Sequence, residues 1–147
     1  MIVLLGFPKS GTVSFNKLFL DLGYKSYHWK YNDIFIADII KKNIKENKNI
    51  LSFIPKSEYE ISALTQIEVC MNKSKFYWPQ ITDFKKIYRE NRNAIFILNK
   101  RSPDKLIESL KRWKNWNNVS LFDRILEWGN NSILSDIDES NPYDKIK

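Results

Sequence analysis

Residues 2–23 read IVLLGFPKSGTVSFNKLFLDLG, and this opening determines the predicted architecture. Ile2 to Leu5 form a short unbroken apolar run, which is typical of a strand that is buried on both faces of a parallel sheet. A polar turn follows, after which apolar residues recur at helical spacing until Gly23, a typical helix stop. The pattern predicts a strand, a loop and a helix over Thr12 to Leu22.

The same alternation of strand and helix continues along the chain. Further strands are predicted over Tyr24 to Trp29 and Ala94 to Leu98, and further helices over Ile34 to Ile44, over Asp83 to Glu90, from Pro103 with Leu106, Ile107, Leu110 and Trp113 on one face, and over Leu121 to Trp128. Residues 57–66 fit neither pattern. The alternation predicts an α/β fold of three layers, in which a parallel sheet is flanked by helices and ligands bind beyond the carboxyl ends of the strands.

Length and composition limit the class of protein. With 147 residues, of which 43% are hydrophobic and 28% charged, the chain is long enough for one domain with a buried core, and a disordered chain is excluded. We expect a single domain over 1–147 with a frayed polar tail from about residue 135. No apolar run reaches the roughly 20 residues that cross a bilayer, and Cys70 is the sole cysteine. The apolar run from Met1 to Leu5 is shorter than that of a secretory signal and lacks its basic start. We expect a cytoplasmic protein without disulfides or a membrane span.

The chain carries a formal net charge of +7, and 19 of its 24 basic residues are lysines. Such a charge attracts nucleic acids, acidic surfaces and phosphorylated small molecules alike. Few arginines and no aromatic-basic recognition motif argue against nucleic acid as the partner. Because His28 is the only histidine, an all-histidine metal site is excluded.

The first motif with chemical meaning is the loop over residues 8–14, Pro-Lys-Ser-Gly-Thr-Val-Ser, between the first strand and its helix. Backbone N–H groups at a helix start converge on an anion, the helix dipole adds positive potential, and Gly11 allows close approach. The hydroxyls of Ser10, Thr12 and Ser14 can donate further hydrogen bonds. Lys9 precedes the glycine, so the loop differs from that of nucleoside triphosphatases, and it is predicted to bind a phosphate group.

The second motif follows the Ala94 to Leu98 strand, where Arg101 stands at the strand end and Ser109 lies eight residues on. A helix that begins near Pro103 places Ser109 within two turns of its start. A guanidinium and a hydroxyl could then bind the same phosphate group, for which the planar fork of arginine is well suited. Taken alone, this second signal is weak.

Together the two motifs resemble those of the sulfotransferases that use 3'-phosphoadenosine 5'-phosphosulfate (PAPS). The family's 5'-phosphosulfate loop reads close to Pro-Lys-Ser-Gly-Thr-Thr, which this chain matches from Pro8 to Thr12 and leaves at Val13. Its 3'-phosphate segment is an arginine at a strand end followed by a serine eight residues on, as with Arg101 and Ser109. The resemblance spans roughly residues 1–115 and implies a P-loop nucleoside-triphosphatase-like sulfotransferase fold of the smaller carbohydrate or bacterial type.

The resemblance also implies roles for these residues. Lys9 would hold the phosphosulfate and neutralise charge on the leaving oxygen, while Ser10, Gly11, Thr12, Val13 and Ser14 would bind the 5'-phosphate. Arg101 and Ser109 would bind the 3'-phosphate of PAPS. The implied reaction moves a sulfuryl group to a hydroxyl of a carbohydrate or small molecule, without a metal.

Sulfuryl transfer to an alcohol also needs a base. Glu68 lies in an apolar stretch between the two motifs, and His28 ends the second predicted strand. We rank Glu68 ahead of His28, although either could be a structural residue.

Cys70 is interpreted as an inert thiol and the tryptophans, Trp113 among them, as core and cleft wall. The alternative function is a degenerate nucleotide-binding or interaction module without turnover.

Overall fold

The computed structural model of the protein describes residues 1–57, 60–72, 76–115 and 117–129. Within these residues the strands are, in chain order, β1 (Ile2–Leu5), β2 (Lys25–His28), β3 (Lys30–Tyr31), β4 (Ile34–Phe35), β5 (Ser62–Gln66), β6 (Val69–Cys70), β7 (Phe76–Tyr77) and β8 (Ile95–Leu98). The helices are α1 (Thr12–Asp21), α2 (Ile36–Lys45), α3 (Pro79–Thr82), α4 (Phe84–Glu90), α5 (Pro103–Arg112) and α6 (Leu121–Gly129). None of these helices is both long and apolar enough to span a bilayer.

Four parallel strands form the central sheet, in the spatial order β2–β5–β1–β8. β3 and β4 form one small antiparallel hairpin, and β6 and β7 form another. Because parallel strands share one direction, the loops that follow β2, β5, β1 and β8 emerge side by side at one edge of the sheet. The predicted α/β fold with a parallel sheet is confirmed.

Helices cover β1 from both faces, and all four of its residues are buried. Val3 and Leu5 pack in a cluster with Ile40 of α2, whereas Ile2 packs on the other face against Phe19 of α1. Each such fully buried aliphatic side chain contributes about 2 kcal/mol to folding. This two-sided burial explains why β1 reads as a continuous apolar run.

The stretch that fits neither pattern in the sequence contains β5, which lies between β1 and β2. Its first four residues are buried, and they include Ser62 and Thr65. The Thr65 hydroxyl lies within hydrogen-bonding distance of the carbonyl oxygen of Tyr27, 3.2 Å away. Ser62 and Thr65 thus stand where a buried strand usually has apolar residues, which is possible because a buried hydroxyl can form hydrogen bonds. The sequence of β5 therefore shows no hydrophobic periodicity.

Two sequence predictions about helices were wrong in detail. α2 begins at Ile36 rather than at Ile34, because Ile34 pairs with Tyr31 in the hairpin of β3 and β4. Leu106 and Leu110 form the buried face of α5, but Ile107 is more than a third exposed. Trp113 follows the end of α5 and is 44% exposed, so it does not belong to that face. The tail predicted from about residue 135 lies outside the described residues.

The loops that follow β1 and β8 are in direct contact. The backbone N–H of Asn99 donates to the carbonyl oxygen of Leu5 at 2.8 Å, and its side-chain amide donates to that of Ser10. Gly6 has a φ of +151°, and a Cβ atom built there would lie 2.9 Å from the Asn99 carbonyl oxygen and 3.0 Å from Ser10 Oγ. The close approach of the two loops therefore requires glycine at position 6.

Replacing this glycine should destabilise the protein more than replacing a glycine in open space. Gly23 provides the control, because its φ is +81° and nothing lies within 4 Å of a Cβ atom there. Both alanine variants incur about 1 kcal/mol of backbone strain. We expect Gly6→Ala to cost about 2 kcal/mol more in urea unfolding than Gly23→Ala, because only Gly6→Ala overlaps neighbouring atoms. Equal costs would contradict the close approach.

Candidate functional site

A cleft of about 420 Å³ lies at the edge of the sheet where the parallel strands end. It is lined by nine of the ten site residues predicted from the sequence: Lys9, Gly11, Thr12, Val13, Ser14, His28, Glu68, Arg101 and Ser109. Ser10 is the exception. The fold thus brings together side chains that are up to 100 positions apart in the chain.

The loop after β1 turns twice through the left-handed region before α1 begins. Lys9 has a φ of 68°, and Gly11, the residue that precedes α1, has a φ of 96°. α1 has no side-chain cap and no acidic residue in its first turn. Its first backbone hydrogen bond runs from the N–H of Phe15 to the Gly11 carbonyl oxygen. The N–H groups of residues 12–14 precede that bond and add their partial positive charge at the cleft.

The hydroxyls of this loop differ in their roles. Ser10 Oγ donates to the carbonyl oxygen of Phe7 at 2.7 Å, and Ser10 is buried away from the cleft. Thr12 Oγ1 donates to Gln66 Oε1 at 3.3 Å, which ties the start of α1 to the end of β5. Ser14 is exposed and lines the cleft. Two of the three hydroxyls thus hold the loop in shape, and that of Ser14 faces the cleft.

The two sequence motifs meet in the cleft. Arg101 Nη1 donates to the carbonyl oxygen of Lys9 at 2.7 Å, a contact between residues 92 positions apart. Ser109, in the second turn of α5, lines the same cleft. The positive charges of Lys9 and Arg101 and the start of α1 therefore face one volume, which is a favourable setting for a ligand with several negative charges.

The cleft wall near Lys9 includes Trp113. The Lys9 ammonium lies 5.6 Å from the centroid of this indole, and the guanidinium of Arg124 lies 4.9 Å from it. Arg124 is buried in α6 and donates to the carbonyl oxygens of Cys70 and Ser120. Such cation–π contacts hold the ring in place. The sequence interpretation of Trp113 as cleft wall agrees with this position.

Glu68 is the one acidic residue on the cleft lining, and it is only 3% exposed. The side-chain amide of Gln80 donates both to Glu68 Oε2, at 3.0 Å, and to the carbonyl oxygen of Gly6, at 3.2 Å. Oε1 makes no hydrogen bond with a described residue. Burial raises the pKa of Glu68 to about 7, and the Gln80 amide and nearby backbone N–H groups offset only part of that rise.

His28 ends β2 and lines the cleft, with Nδ1 3.1 Å from Thr65 Oγ1. The single proton of the Thr65 hydroxyl faces two acceptors, the carbonyl oxygen of Tyr27 and the side-chain oxygen of Asn16. Nδ1 of His28 therefore donates to Thr65, which leaves Nε2 as the acceptor of the neutral ring. Burial lowers the pKa of His28, so the ring is neutral at pH 7.

Cys70 also lines the cleft, and burial raises the pKa of its thiol to about 12. A thiol that stays protonated at neutral pH is a poor nucleophile, in agreement with its interpretation as inert. Among the described residues, no group of three or more His, Cys, Asp or Glu side chains is arranged to hold a metal ion.

Several residues that shape the cleft were missed in the sequence. They are Trp29 and Gln66 on the lining, Gln80 beneath Glu68, Arg124 behind Trp113, and Asn99 between the two loops. Only the position of Asn99 directly after a buried strand is a usable signal. The other residues act through contacts between elements that are far apart in the sequence, and such contacts cannot be recognised from one sequence alone.

The raised pKa of Glu68 predicts a pH-dependent stability. Its pKa in the folded state, about 7, lies above the ordinary value of 4.5, so the folded state binds more protons between these values. Stability therefore falls as pH rises from about 4.5 to about 7. The fall in the free energy of unfolding is roughly 3 kcal/mol at most. We expect it to be absent in Glu68→Gln when urea unfolding is measured at pH 5 and at pH 8.

His28 also contributes to the pH dependence of stability, and its contribution has to be separated from that of Glu68. Burial lowers its pKa in the folded state, so its contribution to stability rises with pH, opposite in sign to that of Glu68. The His28 contribution is the same in both proteins. It therefore cancels when the free energy of unfolding of Glu68→Gln is subtracted, at each pH, from that of the unchanged protein. A difference that does not vary between pH 5 and pH 8 would show that Glu68 has an ordinary pKa.

Comparisons with known proteins agree with this geometry. A family model described as "Sulfotransferase domain" matches residues 1–139. No curated protein and no solved structure matches the chain. The matched region contains both sequence motifs and the described residues that line the cleft. The chain belongs to the sulfotransferase family.

Proposed function

We propose that the protein transfers a sulfuryl group from PAPS to a hydroxyl group of a carbohydrate or another small molecule. One observation carries this proposal: the Arg101 guanidinium contacts the carbonyl of Lys9, beside the start of α1. The two segments that the family resemblance assigns to the two ends of PAPS thus meet around one cleft. Membership in the sulfotransferase family supports sulfuryl transfer in general.

The side chains and backbone groups of the cleft fit a donor with two separate phosphate groups. The N–H groups at the start of α1 and the Lys9 ammonium would hold the 5'-phosphosulfate, while Arg101 and Ser109 would hold the 3'-phosphate. The donor supplies a sulfur atom that is open to attack and a phosphate that leaves. Lys9 would stabilise the negative charge that grows on that phosphate, and no metal ion is needed for this.

The order of the strands favours Glu68 as the base. Glu68 follows β5, which is the direct neighbour of β1, and the Gln80 amide donates both to Glu68 and to the carbonyl oxygen of Gly6, directly after β1. When the acceptor oxygen bonds to sulfur and the bond between sulfur and the phosphate oxygen breaks, the hydroxyl proton would pass to the carboxylate of Glu68. A pKa of about 7 suits this transfer, because the carboxylate is partly ionised at neutral pH.

His28 is the second candidate for the base. It is the last residue of β2, which is two strand spacings from β1, and its neutral ring presents Nε2 as an acceptor. Its lowered pKa makes it a weaker proton acceptor than Glu68 at pH 7. We therefore propose Glu68 as the base and His28 as a group that orients the acceptor hydroxyl.

Binding of adenosine 3',5'-bisphosphate, the product of PAPS, tests the nucleotide assignment. We expect the bisphosphate to raise the melting temperature more than AMP does, because only the bisphosphate offers a 3'-phosphate to Arg101. Arg101→Ala should weaken bisphosphate binding about tenfold or more and leave AMP binding nearly unchanged.

The control variant is Arg112→Ala, which removes an exposed arginine at the end of α5. It should leave both nucleotides bound as before. Equal shifts with the bisphosphate and AMP in the unchanged protein would refute the assignment of PAPS as donor.

Transfer of labelled sulfate from PAPS to an acceptor panel tests the enzyme assignment. Glu68→Gln should lower transfer roughly 100-fold or more, because a glutamine cannot take a proton, while bisphosphate binding is retained. His28→Gln, which keeps a hydrogen-bonding side chain, should lower transfer less. Bisphosphate binding without transfer to any acceptor would instead support the alternative, a nucleotide-binding module without turnover.

A further inference from the structure

Trp29 has a backbone conformation that bulky residues rarely adopt. Its φ is 68°, in the left-handed region, where a side chain with a Cβ atom is strained. Hydrogen bonds on both sides hold it there: its N–H donates to the carbonyl oxygen of Gln66 at 2.9 Å, and its own carbonyl accepts from the N–H of Ile36 at 3.0 Å. Its indole lies 4.9 Å from the ring of Phe35. The fold therefore maintains this strain with dedicated contacts.

The strained conformation of Trp29 allows both His28 and Trp29 to line the cleft. Neighbouring residues of an extended strand project to opposite sides, yet both His28 and Trp29 line the cleft. Two irregularities permit this: the pairing of β2 with β5 shifts in register between Tyr27 and His28, and the chain then turns through the left-handed region at Trp29. Strain of this kind concentrates at binding sites, where it sets the position of a side chain.

The position of Trp29 in the cleft separates it from the nucleotide. β2 and β8 are the two opposite edges of the sheet, three strand spacings or roughly 14 Å apart. Arg101 follows β8 and marks the nucleotide side, and the phosphate loop and Glu68 follow the two strands between. The end of β2 is therefore the side of the cleft that remains for the acceptor.

We infer that Trp29 is a binding residue for the acceptor, and that the acceptor is a ring compound whose flat face stacks on the indole and whose hydroxyl points toward Glu68. This inference rests on the proposed function, which it refines by naming a substrate class. An indole binds the apolar face of a planar aromatic ring or of a pyranose. Among the described residues of the lining, the cations Lys9 and Arg101 follow β1 and β8, so the indole of Trp29 is the feature that would recognise an acceptor at the end of β2.

Binding of three small molecules, measured by saturation-transfer NMR, tests the inference. In each measurement the nucleotide site is filled with an excess of adenosine 3',5'-bisphosphate. The ring probes are 2-naphthol and methyl β-D-glucopyranoside, and the acyclic control is sorbitol. We expect at least one ring probe to bind and sorbitol to give no signal. Trp29→Ala and Trp29→Gly should each weaken the ring probe about tenfold, whereas Trp29→Phe, which keeps a ring, should retain most of the binding.

Thermal melting separates loss of binding from loss of folding. Trp29→Gly and Trp29→Ala both remove the indole, but only glycine relieves the positive φ, so Trp29→Gly should melt about 3 °C above Trp29→Ala. A melting temperature of Trp29→Gly at or below that of Trp29→Ala would remove the argument from strain. Ring probes that bind Trp29→Ala as tightly as the unchanged protein, or no binding by either ring probe, would overturn the inference.

The failure of this inference differs from the failure of the proposed function. If the bisphosphate still raises the melting temperature more than AMP does while Trp29 proves irrelevant to the probes, the donor site stands and only the acceptor assignment is lost. If the bisphosphate and AMP act equally, the proposed donor is refuted, whatever the ring probes do.

Discussion

The parallel pairing of β1 with β5 on one side and with β8 on the other determines the position of every group in the cleft. Because all the strands point the same way, four loops that are far apart in sequence end at one edge in a fixed lateral order. His28 and Trp29, then Glu68, then Lys9, then Arg101 follow one another across that edge. A change of strand order would scatter these residues even if each loop kept its shape.

Two opposing electrostatic effects act within this small volume. Hydrogen bonds from the Gln80 amide and nearby backbone N–H groups would by themselves lower the pKa of Glu68. Burial acts in the other direction on Glu68, and it dominates, because the pKa rises to about 7. The loss of hydration thus outweighs these hydrogen bonds. The cleft lining thus combines the cations Lys9 and Arg101 with a carboxyl group that is partly ionised at neutral pH.

The sequence predicted the parallel sheet well, and it identified two motifs that line one cleft, because each is visible in a short stretch of sequence. β1 reads as an apolar run, and Gly11 follows Lys9 within one turn. The sequence did not reveal β5, whose buried hydroxyls hide its period, nor Gln80, which reaches Glu68 from another element. Such contacts are created only when the sheet assembles. The conformation of Trp29 is hidden for the same reason, since its partners Gln66 and Ile36 lie on either side of it.

The uncapped start of α1 has a consequence for the protein in a living cell. Gly11 supplies no side-chain oxygen to the first N–H groups of the helix, so an anion bound at this end would complete the hydrogen bonding that the chain itself leaves unmade. A ligand that binds only the folded chain protects it from proteases, which cleave unfolded chains. The abundance of this protein would then follow the supply of the anion that binds at this helix start.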